Sequence, residues 1–528
     1  MTGRAPALIF AGFLLAAAVL AEEEPLRIGR ITVTSLDVFA PEEAERGWVY
    51  RTANALHVGT RPDTIRKFLL FEEGDSYDPT VLAQTERNLR QLDFLKSAQV
   101  KAGKPHDGVV DVEVVTQDAW TTEIALSAGS AGGETRWGVG LVEGNLLGRG
   151  KQLALSYVDG FERTDRRIEF RDPALFGSYW SASLLYADNS DGGQRRVRVF
   201  KPFTSVLDRL AAEALWDDHR LEQRMYADGE IVSEFAHHQE IANLSAGTSI
   251  SSSSSSAQRL SAGVRFVKDL FAPVAGAPDA GLPENREFRY VYVGFESISN
   301  DYLSLPFVNR DLRVEDFNLG RRVAVSVGLS PKAFGVPATT AAVAGALEQG
   351  WRLPGAAFAK VSAAFETRVD GGLQNAILTT TGSVVIPWRS GLAQTTVARA
   401  VFQKGWNLDG DVQFFADGDH GLRGYRLYAF EGDRRFILNV EHRVFGGFEV
   451  LQLFTLGAAV FVDTGTAVPP GTPLNVAAFK TDAGAGLRVG IARAARNTVL
   501  RLDFAYAFDP DPQGRRGWLV SFSSGQAF

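Results

Sequence analysis

Gly421-Leu422-Arg423-Gly424-Tyr425 is the stretch whose reading decides the fold. A strand-like run, Val412 to Phe415, leads into it and another, Arg434 to Phe445, leads out, so it lies in a long loop. Gly424 adds no side chain and tolerates unusual backbone angles, which lets the loop turn its arginine inward. An arginine inside a protein cavity needs carboxylate partners, because an unpaired buried charge is costly. Two candidates stand on the following runs: Glu441 in Asn439-Val440-Glu441-His442-Arg443, and Asp463 in Phe461-Val462-Asp463-Thr464-Gly465. A hairpin loop with a solvated arginine is the plainer reading, and five residues alone leave both open.

Outward from that loop, short alternating runs fill the chain from about Thr121 to Phe528, separated by Gly, Asp, Asn and Pro. Ile168 and Phe170 alternate with Arg167, Glu169 and Arg171; Val323, Val325, Val327 and Leu329 share one face. Phe436, Leu438 and Val440 alternate with Ile437, Asn439 and Glu441. Leu500, Leu502, Phe504, Tyr506 and Phe508 alternate with Arg501 and Asp503. One apolar face and one charged face suits a barrel strand in lipid around a wet lumen. A soluble β-sandwich gives the same alternation. Trp518, Val520, Phe522 and Phe528 share one parity, and the chain stops at an aromatic residue. Phe271 to Glu284 and Gly335 to Leu353 read as loops. Thr248 to Ser256, with its serines, reads as a turn or a polar strand end.

Composition narrows the class. The 528 residues allow two or three domains. The absence of cysteine excludes a disulfide framework and thiolate metal sites. A net charge of −7 argues against a nucleic-acid partner. Arg4, the apolar Ala7 to Leu20 and the small-residue site Val19-Leu20-Ala21 before Glu22 read as a secretory signal peptide over 1–21. No later run is long and apolar enough for a transmembrane helix.

Between the leader and the alternating region, residues 22–120 read as a small α/β unit. Leu26 to Val38 suits a strand. A helix is expected over Pro62 to Phe71, and another from the N-cap Asp78 to about Leu92, with Leu82, Thr85, Leu89 and Leu92 on one face. Ala98 to Ala102 and Val109 to Val115 follow as strands, giving the order β-α-α-β-β.

These features together resemble the BamA/TamA superfamily of outer-membrane assembly and secretion barrels. The Arg-Gly-aromatic motif at 423–425 is similar to one that, in this superfamily, folds from the sixth extracellular loop into the lumen and pairs with acidic wall residues. The β-α-α-β-β order, with Glu86-Arg87-Asn88-Leu89, Asp93-Phe94 and Val110-Asp111-Val112-Glu113-Val114, resembles a POTRA domain. Asn145-Leu146-Leu147-Gly148-Arg149-Gly150, Arg171-Asp172-Pro173, Glu315-Asp316-Phe317 and Gly486-Leu487-Arg488 match in order along the barrel, as does the ending Phe522 to Phe528. The resemblance implies a mainly β fold: a transmembrane antiparallel β-barrel of about sixteen strands over 121–528, with one periplasmic POTRA-like domain over 22–120. Relatives carry several such domains. It also implies that Trp518, Phe522 and Phe528 form a C-terminal assembly signal, with Phe528 on the outward face, read by the barrel-assembly machinery. The implied place is the outer membrane of a Gram-negative-type bacterium, with the lipid bilayer and periplasmic client polypeptides as partners. A POTRA sheet edge can accept a client strand. The seam between the first strand, near Thr121 to Ser130, and the last, with Ser521-Phe522-Ser523-Ser524-Gly525, is a weak point where that strand could pass.

Enzymatic readings fare badly, and neither catalytic residues nor a cofactor are expected. Gly150-Lys151 lacks the hydroxyl residue and glycine spacing of a phosphate loop, and no nucleophile elbow appears. His237 and His238 are adjacent, so on a strand they face opposite ways, and no metal site is expected. Glu315-Asp316 reads as loop solvation. A passive pore without clients, and a soluble β-rich secreted protein, are the competing readings.

Overall fold

The alternating runs of the chain pair into one sheet that closes on itself. In a computed structural model that describes residues 26–131, 133–278, 281–388, 391–492 and 499–528, twenty antiparallel strands form this barrel, from Thr122–Ala131 to Gly517–Ser524. The expected leader, 1–21, lies outside the described residues. The large apolar members of the alternation face outward: Ile168, Val293, Val325, Val327, Leu329, Val460 and Val462 are all exposed. Their neighbours Glu441, Asp463 and Asp503 are fully buried inside. Exposed apolar side chains outside and charge inside are what lipid around a polar lumen demands, and a sandwich would have buried the apolar set. No helix among the described residues is long and apolar enough to cross a membrane.

The count exceeds the sixteen strands expected. One reason is the stretch read as a loop at 335–353, which contains the strand Thr340–Arg352. Its alanines hide the alternation, yet its backbone pairs with a neighbour on each side, and the ladder needs only backbone groups. Pairing likewise continues to Pro273 at the start of the other expected loop. The serine run ends the strand Glu230–Ser252 and forms the turn after it.

The N-terminal unit is a three-stranded sheet of β1 (Arg27–Leu36), β2 (Leu95–Ala102) and β3 (Val109–Asp118), in the order β1-β3-β2. Helices α1 (Pro41–Ala44) and α2 (Trp48–Leu56) precede α3 (Pro62–Arg66) and α4 (Pro79–Arg90). The first two were not anticipated, and α3 is shorter than expected. Asp78 caps α4, its carboxylate accepting from the Thr80 amide at 2.8 Å. Ile31, Ile65, Leu82, Leu89, Phe94 and Val114 fill the core between helices and sheet. The unit sits against one end of the barrel, where Arg61 N–H and the Thr64 hydroxyl both donate to the Gly148 carbonyl, at 3.1 and 2.9 Å. Asn145 Nδ2 donates to Thr60 Oγ1 at 2.7 Å. The Asn145–Gly150 turn is thus a docking surface for the unit.

Candidate functional site

The loop between the strands Gln394–Trp406 and Arg434–Val450 folds into the lumen from the end opposite the N-terminal unit. A short hairpin, Phe414–Ala416 with Phe430–Gly432, forms its base. Asp417, fully buried, organises the turn: one carboxylate oxygen accepts from the amides of Asp419 and His420, each at 2.9 Å, and the other from Tyr428 N–H at 2.7 Å. Leu422 and Tyr425 are buried against Ala416, Ala429, Phe430 and Ile437. The Tyr425 hydroxyl donates to the Thr481 carbonyl at 3.1 Å. Across the lumen, Tyr428 stacks on Tyr226 at 3.8 Å and donates to Glu162 at 2.6 Å, tying the loop to the far wall.

This frame aims Arg423 at the carboxylates. Its Nε and Nη2 donate to the two oxygens of Asp463, at 2.7 and 2.9 Å, and Nη1 donates to Glu441 at 2.6 Å. Asp503 lies 3.5 Å from Nη1, and the Phe461 ring centroid is 3.4 Å from the guanidinium carbon. The two-pronged grip on Asp463 is the fork geometry that arginine supplies and lysine cannot. Asn439 locks the approach by donating to both Gly421 O and Asp463, at 2.6 and 2.8 Å. Gly424 matters here through space: a Cβ there would come 2.6 Å from Asp482 Cβ.

The charges continue along the wall. Arg443 Nε and Arg488 Nη2 donate to Glu441 at 2.8 and 3.2 Å, and Arg488 and Arg501 pair with Asp503 at 2.6 and 3.3 Å. Four arginines thus share the carboxylates of Glu441, Asp463 and Asp503, while Asp482, beside Asp463 in register, is buried and joins none of these ion pairs. Every interaction here holds a side chain in place, which makes the cluster a clamp on the loop.

Toward the N-terminal unit the clamp meets the segment that carries Glu315-Asp316-Phe317, whose inward fold was not expected. Residues 300–321, between two barrel strands, fold inward as a hairpin of Tyr302–Pro306 and Val314–Asn318. Leu305, Val308 and Leu319 pack on Phe358, Val385 and Val397 of the inner wall. Arg443 donates to Val308 O at 3.1 Å and Asn309 Oδ1 at 2.9 Å. Asp316 pairs with Arg90 of α4 at 2.8 Å, and Glu315 accepts from Asn309, so these neighbouring acids are structural. The length of this connection and its apolar Leu303, Leu305 and Val308 were the available signal.

Phe528 is placed differently from the expectation. Trp518 is outward and 69% exposed, and Phe522 lies at the seam opposite Ser130, but the chain leaves the wall at Gly525, whose φ of +90° suits glycine. Phe528 then packs beside the inner hairpin, its main-chain oxygen accepting from Arg443 Nη2 at 3.0 Å. Gln526 donates to Asn309 O at 2.8 Å. Polar partners and an apolar pocket in the lumen outweigh the outward face here.

No family model matches the chain, and no curated protein matches it. Solved structures do. CdiB from Acinetobacter baumannii aligns at 12% identity over 95% of this chain and 74% of its own, with a TM-score of 0.47. CdiB from Escherichia coli aligns at 13% over 94% and 76%, TM-score 0.46. BamA from Haemophilus ducreyi lacking POTRA domains 1–3 aligns at 14% over 94% and 84%, TM-score 0.40. The chain is similar to these barrels. The likeness is distant.

The remaining polar residues singled out by sequence are occupied locally. His237 lies between Asp269 and Gln223, at 3.0 and 3.1 Å, while His238 faces Asp218 at 3.0 Å. Among the described residues no group of His, Asp and Glu is arranged to hold a metal ion.

Proposed function

We propose that this chain is an outer-membrane barrel of the BamA/TamA superfamily that inserts or exports client polypeptides. In this reading the N-terminal unit is a POTRA-type domain in the periplasm, and the clamped loop enters from the outer surface. The observation that carries it is Arg423 held inside the lumen by Asp463 and Glu441. A passive pore has no use for a lumen filled from one end by this loop and from the other by the 300–321 hairpin.

The seam supports the same reading. The last strand pairs at eight positions with its preceding neighbour but, among the described residues, only at Phe522↔Ser130 with the first strand. A closed barrel hides its strand edges, and a thinly paired seam is where an edge can be exposed. In the N-terminal sheet, β2 is an outer strand that could take a client strand, although Glu86 already accepts from its Val100 amide at 2.9 Å.

Cysteines at Ser130 and Phe522 form the test, since the chain has none of its own. Directly opposed strand positions lie within disulfide reach. Cells relying on the oxidised variant should show altered outer-membrane and secreted protein profiles, restored by reduction. Unaltered profiles with a fully formed disulfide would favour the pore.

A further inference from the structure

We infer that α2 is a membrane-interface anchor: its exposed face lies on the lipid surface beside the barrel wall. This rests on the proposed membrane barrel. None of the residues of helix α2 is fully buried. It instead exposes Trp48 (71%) and Leu56 (71%), with Val49 and, just beyond it, Val58. Thr52 and Ala55 fill the rest of that face, and Arg51 is the charged side chain on it. An aromatic, aliphatic residues and one cation on a short amphipathic helix suit the headgroup boundary, with the apolar side toward the acyl chains. A soluble domain seldom leaves such a cluster in water.

The position of the helix chooses the occupant. The opposite side of α2 is fixed: Tyr50 packs on Phe39 at 5.0 Å, and its hydroxyl donates to the Leu451 carbonyl at 3.2 Å. Leu451 is in the turn joining the strands Arg434–Val450 and Phe454–Val468. The outward face of those strands runs through Val462, Val460, Leu456 and Phe454, and the exposed Phe448 and Leu451 extend it to the turn. Tyr50 thus holds the helix beside the turn at which the apolar belt of the barrel ends. A client or a second copy could cover α2 alone, but neither explains why the helix is fastened beside the end of the belt. The anchor also lies among the last strands before the seam, on the same wall that carries Glu441 and Asp463.

The cysteine-free chain permits a direct measurement. Single variants Leu56→Cys, Val293→Cys on the outward wall and Lys101→Cys on the exposed edge of β2 would carry an environment-sensitive fluorophore. The full chain is then reconstituted in phosphatidylethanolamine and phosphatidylglycerol vesicles, with and without brominated acyl chains. Positions 293 and 56 should both be quenched, about twofold for an interfacial site, and 101 should not. Adding Trp48→Asp should reverse the quenching at 56 and leave 293 unchanged. Quenching at 293 with none at 56 overturns the anchor alone, and a blue-shifted but unquenched label at 56 does so by assigning the face to protein. No quenching at 293 overturns the membrane barrel and the anchor with it.

Discussion

Removing the Arg423 guanidinium would leave Asp463 and Glu441 facing each other inside the lumen with fewer cations. Breaking a buried pair in this way costs about 3–5 kcal/mol, far more than an exposed pair is worth. Arg423→Ala should therefore free the loop while the barrel stays closed, because the strand ladder does not depend on that side chain. Protease cutting within 408–432, with heat-modifiable gel mobility retained, is the expected result; an uncut loop would mean that Tyr428 and Asp417 hold it unaided. Arg423→Lys keeps the charge but grips Asp463 at one point, so it should fall between. Gly424→Ala should resemble Arg423→Ala although every charge is kept, since the new methyl would strike Asp482. Wild-type protease resistance in Gly424→Ala would show that the wall yields. Arg423 and its two acids could be named from the sequence as candidates, but the five residues fit a solvated loop equally well, and the resemblance spread along the chain was what favoured the inward one. Asp417, Tyr428, Arg443 and Arg488 could not. Their roles depend on which strands neighbour one another, and alternation gives a residue's face without its partner.

The alternation of large apolar and charged residues fixed strand faces well: Val325 and Phe504 point out, Asp503 and Glu441 point in. Element boundaries were legible where side chains were large and failed where they were small, as in the alanine-rich Thr340–Arg352. The C-terminal residues show a different failure. Parity carries Trp518 and Phe522 correctly along the wall, but it holds only while the backbone stays extended, and Gly525 ends that. Phe528 thus belongs to the inner packing, with its ring 5.5 Å from the Arg443 guanidinium carbon and in contact with the hairpin cluster. Phe528→Ala should therefore lower the thermal stability of the assembled barrel, by about 1–3 kcal/mol for a half-buried aromatic. Loss of assembly yield with an unchanged melting temperature would return Phe528 to a purely recognitional role.

At the scale of the molecule, a continuous path of contacts runs from the N-terminal unit to the loop. Arg90 of α4 holds Asp316, the hairpin of Asp316 presents Asn309 to Arg443, Arg443 shares Glu441 with Arg423, and Arg423 sets the loop. Contact alone does not make coupling; the two ends must bias one another measurably. If they do, a client on the N-terminal unit could loosen the loop without touching it. Ala429, a residue of the loop itself that is 1% exposed and packed against the wall, offers a reporter: in Ala429→Cys the thiol-labelling rate measures how often the loop opens. Arg423→Ala should raise that rate strongly. Arg90→Ala should raise it less, although the substitution lies at the other end of the barrel. Distant, independent substitutions add within about 0.3–0.5 kcal/mol, so the double variant should fall short of the sum by more than that if the path is one unit. Asp316→Asn should behave like Arg90→Ala, because both break the same ion pair. An Arg90→Ala protein that labels at the parent rate would reduce the path to adjacency, and the loop would then open by its own energetics alone.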